Sequence, residues 1–131
     1  MTSLRLIDLR TGLALLGMAF VGAEAWAEGP DGADLFAEQC VVCHDGANQR
    51  GGNHGPALKG ADFWAKWQNQ PARALYGRII STMPLTDPGS LSEADVIQVV
   101  EFLMKENVGE GFPGPVTSAN QLNDLVLPAM P

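Results

Sequence analysis

Apolar residues recur at helical spacing near the end of the chain. The stripe consists of Val96, Val99, Val100 and Leu103. These positions follow the i, i+3, i+4, i+7 rule that gives a helix one apolar face. Ser92 precedes the stripe, and Asp95 stands three residues later in an Asp variant of the capping box. The pattern predicts an amphipathic helix that begins near Ser92 and ends near Asn107–Gly109.

Three further helices are predicted upstream. The segment Pro71–Thr82 has proline where the first helical turn tolerates it, and Met83-Pro84 ends it. Its apolar residues share one face: Leu75, Tyr76, Ile79 and Ile80. Asp31 is suited to cap a helix that runs to about Cys43. Residues 62–67 predict a short helix.

Two segments lack helical periodicity. Residues 45–60 contain five glycines, two asparagines and Pro56, and they predict a long loop. A loop of this length in a small domain needs something to wrap, and a flat cofactor would serve. Residues 110–131 contain four prolines and predict a tail that is ordered only in part. Since no alternating strand pattern is present, the chain is predicted to be an all-α domain with long loops.

The first 27 residues have the order of a secretory signal peptide. Arg5 and Arg10 precede the apolar run Leu13–Ala23, and Ala25-Trp26-Ala27 supplies a small-x-small cleavage pattern. The run is well short of the ~20 residues that span a bilayer. We therefore predict cleavage after Ala27, export to the periplasm and no membrane span after processing. The alternative is a retained amphipathic anchor.

The sequence is acidic, with 8 Lys or Arg residues against 15 Asp or Glu residues and a formal net charge of −7. Loss of residues 1–27 leaves this charge unchanged, because the segment holds equal numbers of acidic and basic residues. A negative surface is repelled by nucleic acid and by anionic membranes. We expect neither to be the main partner.

The motif Cys40-Val41-Val42-Cys43-His44 has the spacing of covalent haem attachment. On one helical turn, two thiols reach the two vinyl groups along one edge of a porphyrin. The adjacent histidine then lies under the ring, where its imidazole can bind iron. The motif predicts one covalently bound haem c held by Cys40 and Cys43, with His44 as an iron ligand.

Three other interpretations of the motif compete. A zinc site needs four ligands, and Cys40, Cys43, His44 and His54 lack a second pair at the usual spacing. A thioredoxin-like dithiol needs a βαβ context that this sequence lacks. A plain disulfide would leave residues 45–60 with nothing to wrap.

From this motif outward, the chain resembles class I cytochrome c over about Asp31–Glu106. Gly32 and Phe36 precede the motif at the family's spacing, and Val99 and Phe102 stand at the partner positions on the last helix. In that family these residues let the first and last helices cross closely. The resemblance implies a cytochrome c fold, with three to five helices around one covalent haem, in residues 28–109.

The resemblance extends to the support of the histidine. Pro56 follows His44 by twelve residues, the family's spacing to a proline whose carbonyl accepts the ring N–H. The segment Gly55-Pro56-Ala57-Leu58 matches the family, which places Leu58 beside the haem. Such a bond orients the imidazole and raises its basicity.

The resemblance also implies an axial methionine opposite His44. Met83 lies after a helix and before a proline, where the family has its ligand. A thioether ligand raises the reduction potential, as electron carriers need. Met104 falls inside the last helix and is assigned to the core. His54 is the rival ligand, but it lies on the His44 side of the haem.

Four aromatic or aliphatic residues complete the predicted haem site. Trp64 and Trp67 are candidates to donate indole N–H bonds to haem propionates, as a tryptophan does in several family members. The alternative is that both are core aromatics. Tyr76 and Ile79 are expected to wall the haem, although the same stripe suits any core.

These features predict a periplasmic electron-transfer protein that carries one electron and performs no bond chemistry. Its expected partners are redox proteins: a dehydrogenase as donor, and a terminal oxidase or another cytochrome as acceptor. The alternative is a dedicated haem c subunit of a dehydrogenase, because residues 83–107 are similar to cytochrome partners of quinoprotein dehydrogenases. A gas-binding or peroxidase-like site needs an open iron position, and Met83-Pro84 argues against one.

Overall fold

The structure is a computed structural model that describes residues 31–44 and 55–130. The predicted signal peptide, most of the predicted loop and His54 lie outside the described residues. Apart from an isolated bridge between Pro71 and Val126, the described residues contain no strand, which confirms the all-α class. They form five α-helices: α1 (Gly32–Gln39), α2 (Val41–His44), α3 (Ala61–Trp67), α4 (Ala72–Thr82) and α5 (Glu93–Val108).

Helix α5 begins where the sequence predicts. The Asp95 N–H donates to the Ser92 hydroxyl at 3.1 Å, and the Ser92 N–H donates to the Asp95 carboxylate at 3.2 Å. Both halves of the capping box are therefore present. The helix ends at Val108, and Gly109 follows with φ 69°, a left-handed value that favours glycine. All four residues of the predicted apolar stripe are buried.

The other predicted helix limits agree to within a residue, with one exception. Asp31 caps α1 by accepting the Asp34 N–H at 2.8 Å, and α4 begins directly after Pro71. The exception is the predicted helix to about Cys43, which is wrong because the helix is interrupted at Cys40. The φ angle of Cys40 is −113°, outside the usual α-helical range, and this residue separates α1 from α2.

The crossing of α1 and α5 is as close as the Gly32 position predicts. A Cβ at Gly32 would clash with the Gln98 carbonyl and lie 2.8 Å from the Phe102 Cβ. One turn further along α1, the Phe36 ring packs on Phe102 with centroids 5.2 Å apart. This crossing fixes α1, and through it the cysteine motif, against the longest helix.

The tail after α5 packs against the helices, a feature that its sequence pattern did not predict. Its buried side chains are Val116, Ala119, Leu122 and Leu127. Its backbone pairs with the α3–α4 turn: the Asn69 N–H donates to the Leu127 carbonyl at 2.8 Å, and the Leu127 N–H donates to Gln70 at 2.9 Å. Proline marks the tail as non-helical, but the apolar residues between the prolines join the same core.

A buried carboxylate holds the tail to α5. Glu101 is 7 % exposed, and its side chain accepts the Val116 N–H at 2.8 Å. Lys105, one turn later, pairs with the other Glu101 oxygen at 2.5 Å. The charge of Glu101 is thereby matched by a cation and a backbone N–H group, as a buried charge requires. No helix in the described residues is long and apolar enough to cross a membrane.

Candidate haem-binding site

The cysteine motif forms one tight turn after α1. The Cys40 carbonyl accepts two N–H groups, from Cys43 at 3.1 Å and from His44 at 2.9 Å. Both cysteines are half-buried free thiols, and Val42 between them is 78 % exposed. His44 is buried at the end of the turn. The motif therefore presents two thiols at the edge of the core and directs an imidazole inward.

The imidazole of His44 is held by the predicted carbonyl. Its Nδ1 lies 2.8 Å from the Pro56 oxygen, which confirms the expected contact. Because a carbonyl oxygen only accepts, Nδ1 must carry the proton, and in the neutral ring Nε2 is then the nitrogen that can bind a metal. This is the tautomer that a metal-binding histidine with a supporting partner adopts. The residues present therefore fit a haem iron on the Nε2 side.

Gly55 makes the approach of this loop to the imidazole possible. A Cβ at Gly55 would lie 2.8 Å from both Cε1 and Nδ1 of His44 and 3.0 Å from the Cys43 carbonyl oxygen. Contacts this short are closer than a side chain carbon tolerates. The Gly55–Pro56 pair thus packs directly against the ring that it supports.

A thioredoxin-like dithiol fits this geometry less well than haem attachment does, whereas the zinc alternative includes His54, which lies outside the described residues. Burial, and secondarily the neighbouring Cys43 thiol, raise the pKa of Cys40 to about 11, which keeps the thiol protonated near neutrality. Redox-active dithiols have a lowered pKa, since the thiolate is the nucleophile. Within the described residues, no group of three or more His, Cys, Asp or Glu side chains is placed to hold a metal ion.

Met83 lies directly beyond the end of α4. Its N–H donates to the Ile79 carbonyl at 2.9 Å, and its backbone is extended, with φ −119° and ψ 148°. The side chain is partly buried against the core. Met104 is 2 % exposed inside the core, as predicted, and Met130 is exposed in the tail. The role of Met83 as an iron ligand stays a prediction.

Both predicted tryptophans are buried on α3. Trp64 packs edge-on against Phe63 with centroids 6.0 Å apart, and Lys66 lies over the Trp67 ring at 5.1 Å. No hydrogen bond joins either indole N–H to another described residue. Buried indole N–H groups usually have a partner, and a propionate would supply one.

The remaining predicted residues line the core beside these groups. Leu58 is partly buried against it, and Ile79 is buried on α4. Tyr76 is buried with Arg73 lying 4.6 Å from the ring centre. Burial and the Glu93 carboxylate raise the pKa of Tyr76, while Arg73 opposes them. The Tyr76 hydroxyl is therefore within electrostatic range of Glu93, at the start of α5.

Sequence reasoning missed the residues that tie the Pro56 loop to α5. Asn107 forms hydrogen bonds with Leu58 and Gly60, and Glu106 pairs with Lys59 at 2.8 Å. The partners are 47 or 49 residues apart in the chain. No local pattern signals such contacts, because helix-end polar residues are usually solvated.

Comparison with known proteins places the chain among cytochromes. Residues 27–103 match the family described as cytochrome c oxidase, cbb3-type, subunit III. The thiosulfate dehydrogenase of Stutzerimonas stutzeri (strain A1501) is 36% identical over 102 residues, which are 71% of this chain and 33% of that protein. The crystal structure of the sulfane dehydrogenase SoxCD from Paracoccus pantotrophus matches with a TM-score of 0.59 and 26% identity, covering 74% of this chain and 51% of that one.

These matches identify the family of the chain but cover only part of the two similar proteins. The chain spans about a third of the thiosulfate dehydrogenase and about half of the SoxCD chain. The family match includes the whole Cys40–His44 motif and the Pro56 loop. Since it covers more than half of the sequence, the chain belongs to this family of c-type cytochromes and is an electron-transfer haem protein.

Proposed function

We propose that the chain is an exported electron carrier with one haem c, attached through Cys40 and Cys43 and ligated by His44 and Met83. The hydrogen bond from His44 to the Pro56 carbonyl carries this proposal, because it leaves Nε2 free to bind iron. Met83, at the core edge beyond α4, supports the second ligand assignment. When bound, the haem would supply a one-electron couple.

The residues of the chain set the conditions for that couple. Thioether attachment by the two cysteines fixes the plane of the cofactor and prevents its loss. The Pro56 carbonyl raises the basicity of the imidazole, and the Met83 thioether raises the potential. If His44 and Met83 both held the iron, no metal position would be left for a substrate.

Covalent attachment is tested by acid–acetone extraction of the native protein. The denatured polypeptide should keep its haem absorbance and carry the mass of one haem. Cys40→Ala with Cys43→Ala should yield little folded holoprotein. Haem that leaves with the solvent would overturn the attachment.

The second ligand is tested by Met83→Ala. The weak far-red band of methionine-ligated ferric haem should disappear, the potential should fall, and carbon monoxide should bind the reduced protein. Met104→Leu is the matched control, because Met104 is buried in the core and should leave all three properties unchanged. If Met104→Leu or His54→Ala removes the band instead, Met83 is not the ligand.

Export is tested by the N-terminus of the mature protein. We propose that it begins at Glu28 in the periplasm, as the small-x-small pattern at Ala25–Ala27 predicts. Intact mass or N-terminal sequencing reads this directly. Met1 retained in membrane-extracted protein would favour the anchor.

A second candidate is a haem subunit dedicated to a dehydrogenase that oxidises sulfur compounds. The names of the two similar proteins, a thiosulfate dehydrogenase and a sulfane dehydrogenase, favour it over a quinoprotein partner. A subunit should co-purify with its dehydrogenase from native periplasm, and thiosulfate should reduce its haem only when that partner is present. A carrier should elute alone. Reduction by thiosulfate without any partner would show instead that the chain is itself the dehydrogenase.

A further inference from the structure

Asn107, in the last turn of α5, joins three backbone groups. Its side-chain NH₂ donates to the Leu58 carbonyl and to the Leu103 carbonyl, both at 2.9 Å. Its side-chain oxygen accepts the Gly60 N–H at 3.3 Å. The contact with Leu103 lies within α5 and fixes the direction of the amide. The other two contacts hold the loop, so that Asn107 binds both sides of residue 59.

An ion pair lies beside this amide but contributes less to holding the loop. Lys59 Nζ and Glu106 Oε2 are 2.8 Å apart, with side chains 47 % and 36 % exposed. An exposed pair of this kind contributes little to stability. The Asn107 contact with the Leu58 carbonyl is part-buried, where loss of the donor costs more than it would in open solvent. The amide therefore fixes the loop more firmly than the ion pair.

The fixed loop is the one that supports His44. Leu58 is two residues after Pro56, whose carbonyl lies 2.8 Å from His44 Nδ1. Only Ala57 and Leu58 contribute backbone torsions between the two carbonyls, and Ala57 is buried, which limits independent movement of this short segment. A displacement of the Leu58 carbonyl is therefore transmitted to the Pro56 carbonyl.

We infer that Asn107 is a positioning residue for the axial imidazole, acting through the Leu58 carbonyl to hold the Pro56 carbonyl on His44 Nδ1. The inference rests on the proposed function, in which Nε2 of that ring binds the haem iron. A supported imidazole is more basic and favours the ferric state. Loosening the loop should therefore weaken the His44 N–H bond and raise the reduction potential.

The test uses full-length holoprotein with four substitutions, each made singly. Asn107→Leu removes all three hydrogen bonds, whereas Asn107→Asp removes only the donors to Leu58 and Leu103 and serves if the leucine variant folds poorly. Glu106→Gln breaks the neighbouring ion pair and leaves the amide in place. Ser92→Ala removes the capping box at the other end of α5, as a control for general loss of helix stability.

The readouts are hydrogen exchange of His44 Nδ1–H by NMR and the reduction potential. Both Asn107 variants should exchange this proton about tenfold faster than wild type, as expected for the loss of one hydrogen bond. Asn107→Leu, which adds no charge, should also have a higher potential. Glu106→Gln and Ser92→Ala should match wild type in both.

Two outcomes are distinguished. A wild-type protein without a low-spin haem spectrum would overturn the proposed function, and this inference with it. A normal wild type, with Asn107 variants that are less stable but unchanged in His44 exchange and potential, would overturn the inference alone. In that case Asn107 would only stabilise the fold.

Discussion

At the scale of single residues, the site depends on how closely backbone atoms approach His44. The carbonyl of Pro56 contacts one ring atom, and the Cα of Gly55 lies against the same side of the ring. Both contacts are made by backbone atoms of the loop and not by a side chain. The imidazole is therefore positioned by the path of the backbone, and substitutions act by changing that path.

Gly55→Ala should disturb the site directly. The added Cβ would lie 2.8 Å from two ring atoms of His44, and neither the ring nor the Cys43 carbonyl on the other side can yield easily. We expect the free energy of unfolding to fall by about 1–3 kcal/mol, as for other overpacked positions. Denaturant titration measures this, and the low-spin haem spectrum should weaken with it.

Gly77→Ala is the matched control. Nothing lies within 4 Å of a Cβ at Gly77, which is inside α4. Alanine should raise stability there by about 0.5–1 kcal/mol. Equal losses from the two substitutions would contradict the close contact at His44.

Single residues also show which contacts of the site the sequence could predict and which it could not. The contact between Pro56 and His44 was predictable from the resemblance to class I cytochrome c, because Pro56 follows His44 at that family's spacing. The contacts of Asn107 were not predictable, because they exist only when the end of α5 lies beside the loop in the folded protein. The ligand motif is local in sequence, whereas the positions of its supporting residues depend on the assembled fold.

At the scale of elements, the crossing of α1 and α5 places the motif. Helix α1 ends directly before Cys40, so the position of α1 on α5 decides where the cysteines lie. The helix limits were predictable from Asp31 and from the Ser92–Asp95 capping box, since these signals act within four residues. The interruption at Cys40 was not, because a single backbone angle distinguishes one helix from two.

Gly32→Ala should push α1 and α5 apart where they cross. The new Cβ would clash with the Gln98 carbonyl, which is helix backbone, and would lie 2.8 Å from the Phe102 Cβ. The helices must move apart, so we expect a loss of about 1–3 kcal/mol in the free energy of unfolding. Chemical denaturation of the holoprotein measures it.

Ala33→Ser controls for a change in the same helix. Ala33 is exposed, so its substitution should stay within about 0.5 kcal/mol of wild type. A Gly32→Ala variant as stable as Ala33→Ser would show that α1 and α5 do not need a glycine between them.

At the scale of the whole molecule, the tail completes the core. Leu122 and Leu127 are fully buried, and the buried Glu101 carboxylate holds the backbone at Val116. Sequence patterns identified the prolines of the tail but gave no sign of burial, since single apolar residues between prolines have no periodicity.

Leu122→Ala should therefore destabilise the protein as a core substitution does. We expect a loss of about 2–5 kcal/mol in the free energy of unfolding, because the cavity left behind cannot close fully. Val126→Ala, at a position 57 % exposed on the same tail, should change stability by less than about 0.5 kcal/mol. Thermal unfolding compares the two. A Leu122→Ala variant as stable as Val126→Ala would mean that the tail is not part of the cooperative unit.

The charge of the whole molecule bears on how it meets a redox partner. The chain has a formal net charge of −7, and haem propionates would add to it. In the proposed function, electron transfer would require the haem edge held by Cys40 and Cys43 to come close to the partner's cofactor. Val42, between the cysteines, and Leu85, after Met83, are exposed apolar residues suited to short-range contact. Long-range attraction must then come from the surrounding acids.

The rate of electron exchange with a basic partner should therefore fall by about tenfold between low and physiological salt. The physical reason is screening, since the Debye length shortens from ~30 Å at 0.01 M to ~8 Å at 0.15 M.

Asp87 lies in the turn after Met83, and Asp124 lies in the tail, and both are exposed. Asp87→Asn should flatten the salt dependence more than Asp124→Asn, because Asp87 is two residues from Leu85, one of the exposed apolar residues proposed for docking. Stopped-flow rates that stay constant or rise with salt would reject steering by charge. A rate independent of salt, together with co-elution on a sizing column, would indicate instead a dedicated complex held by apolar contacts.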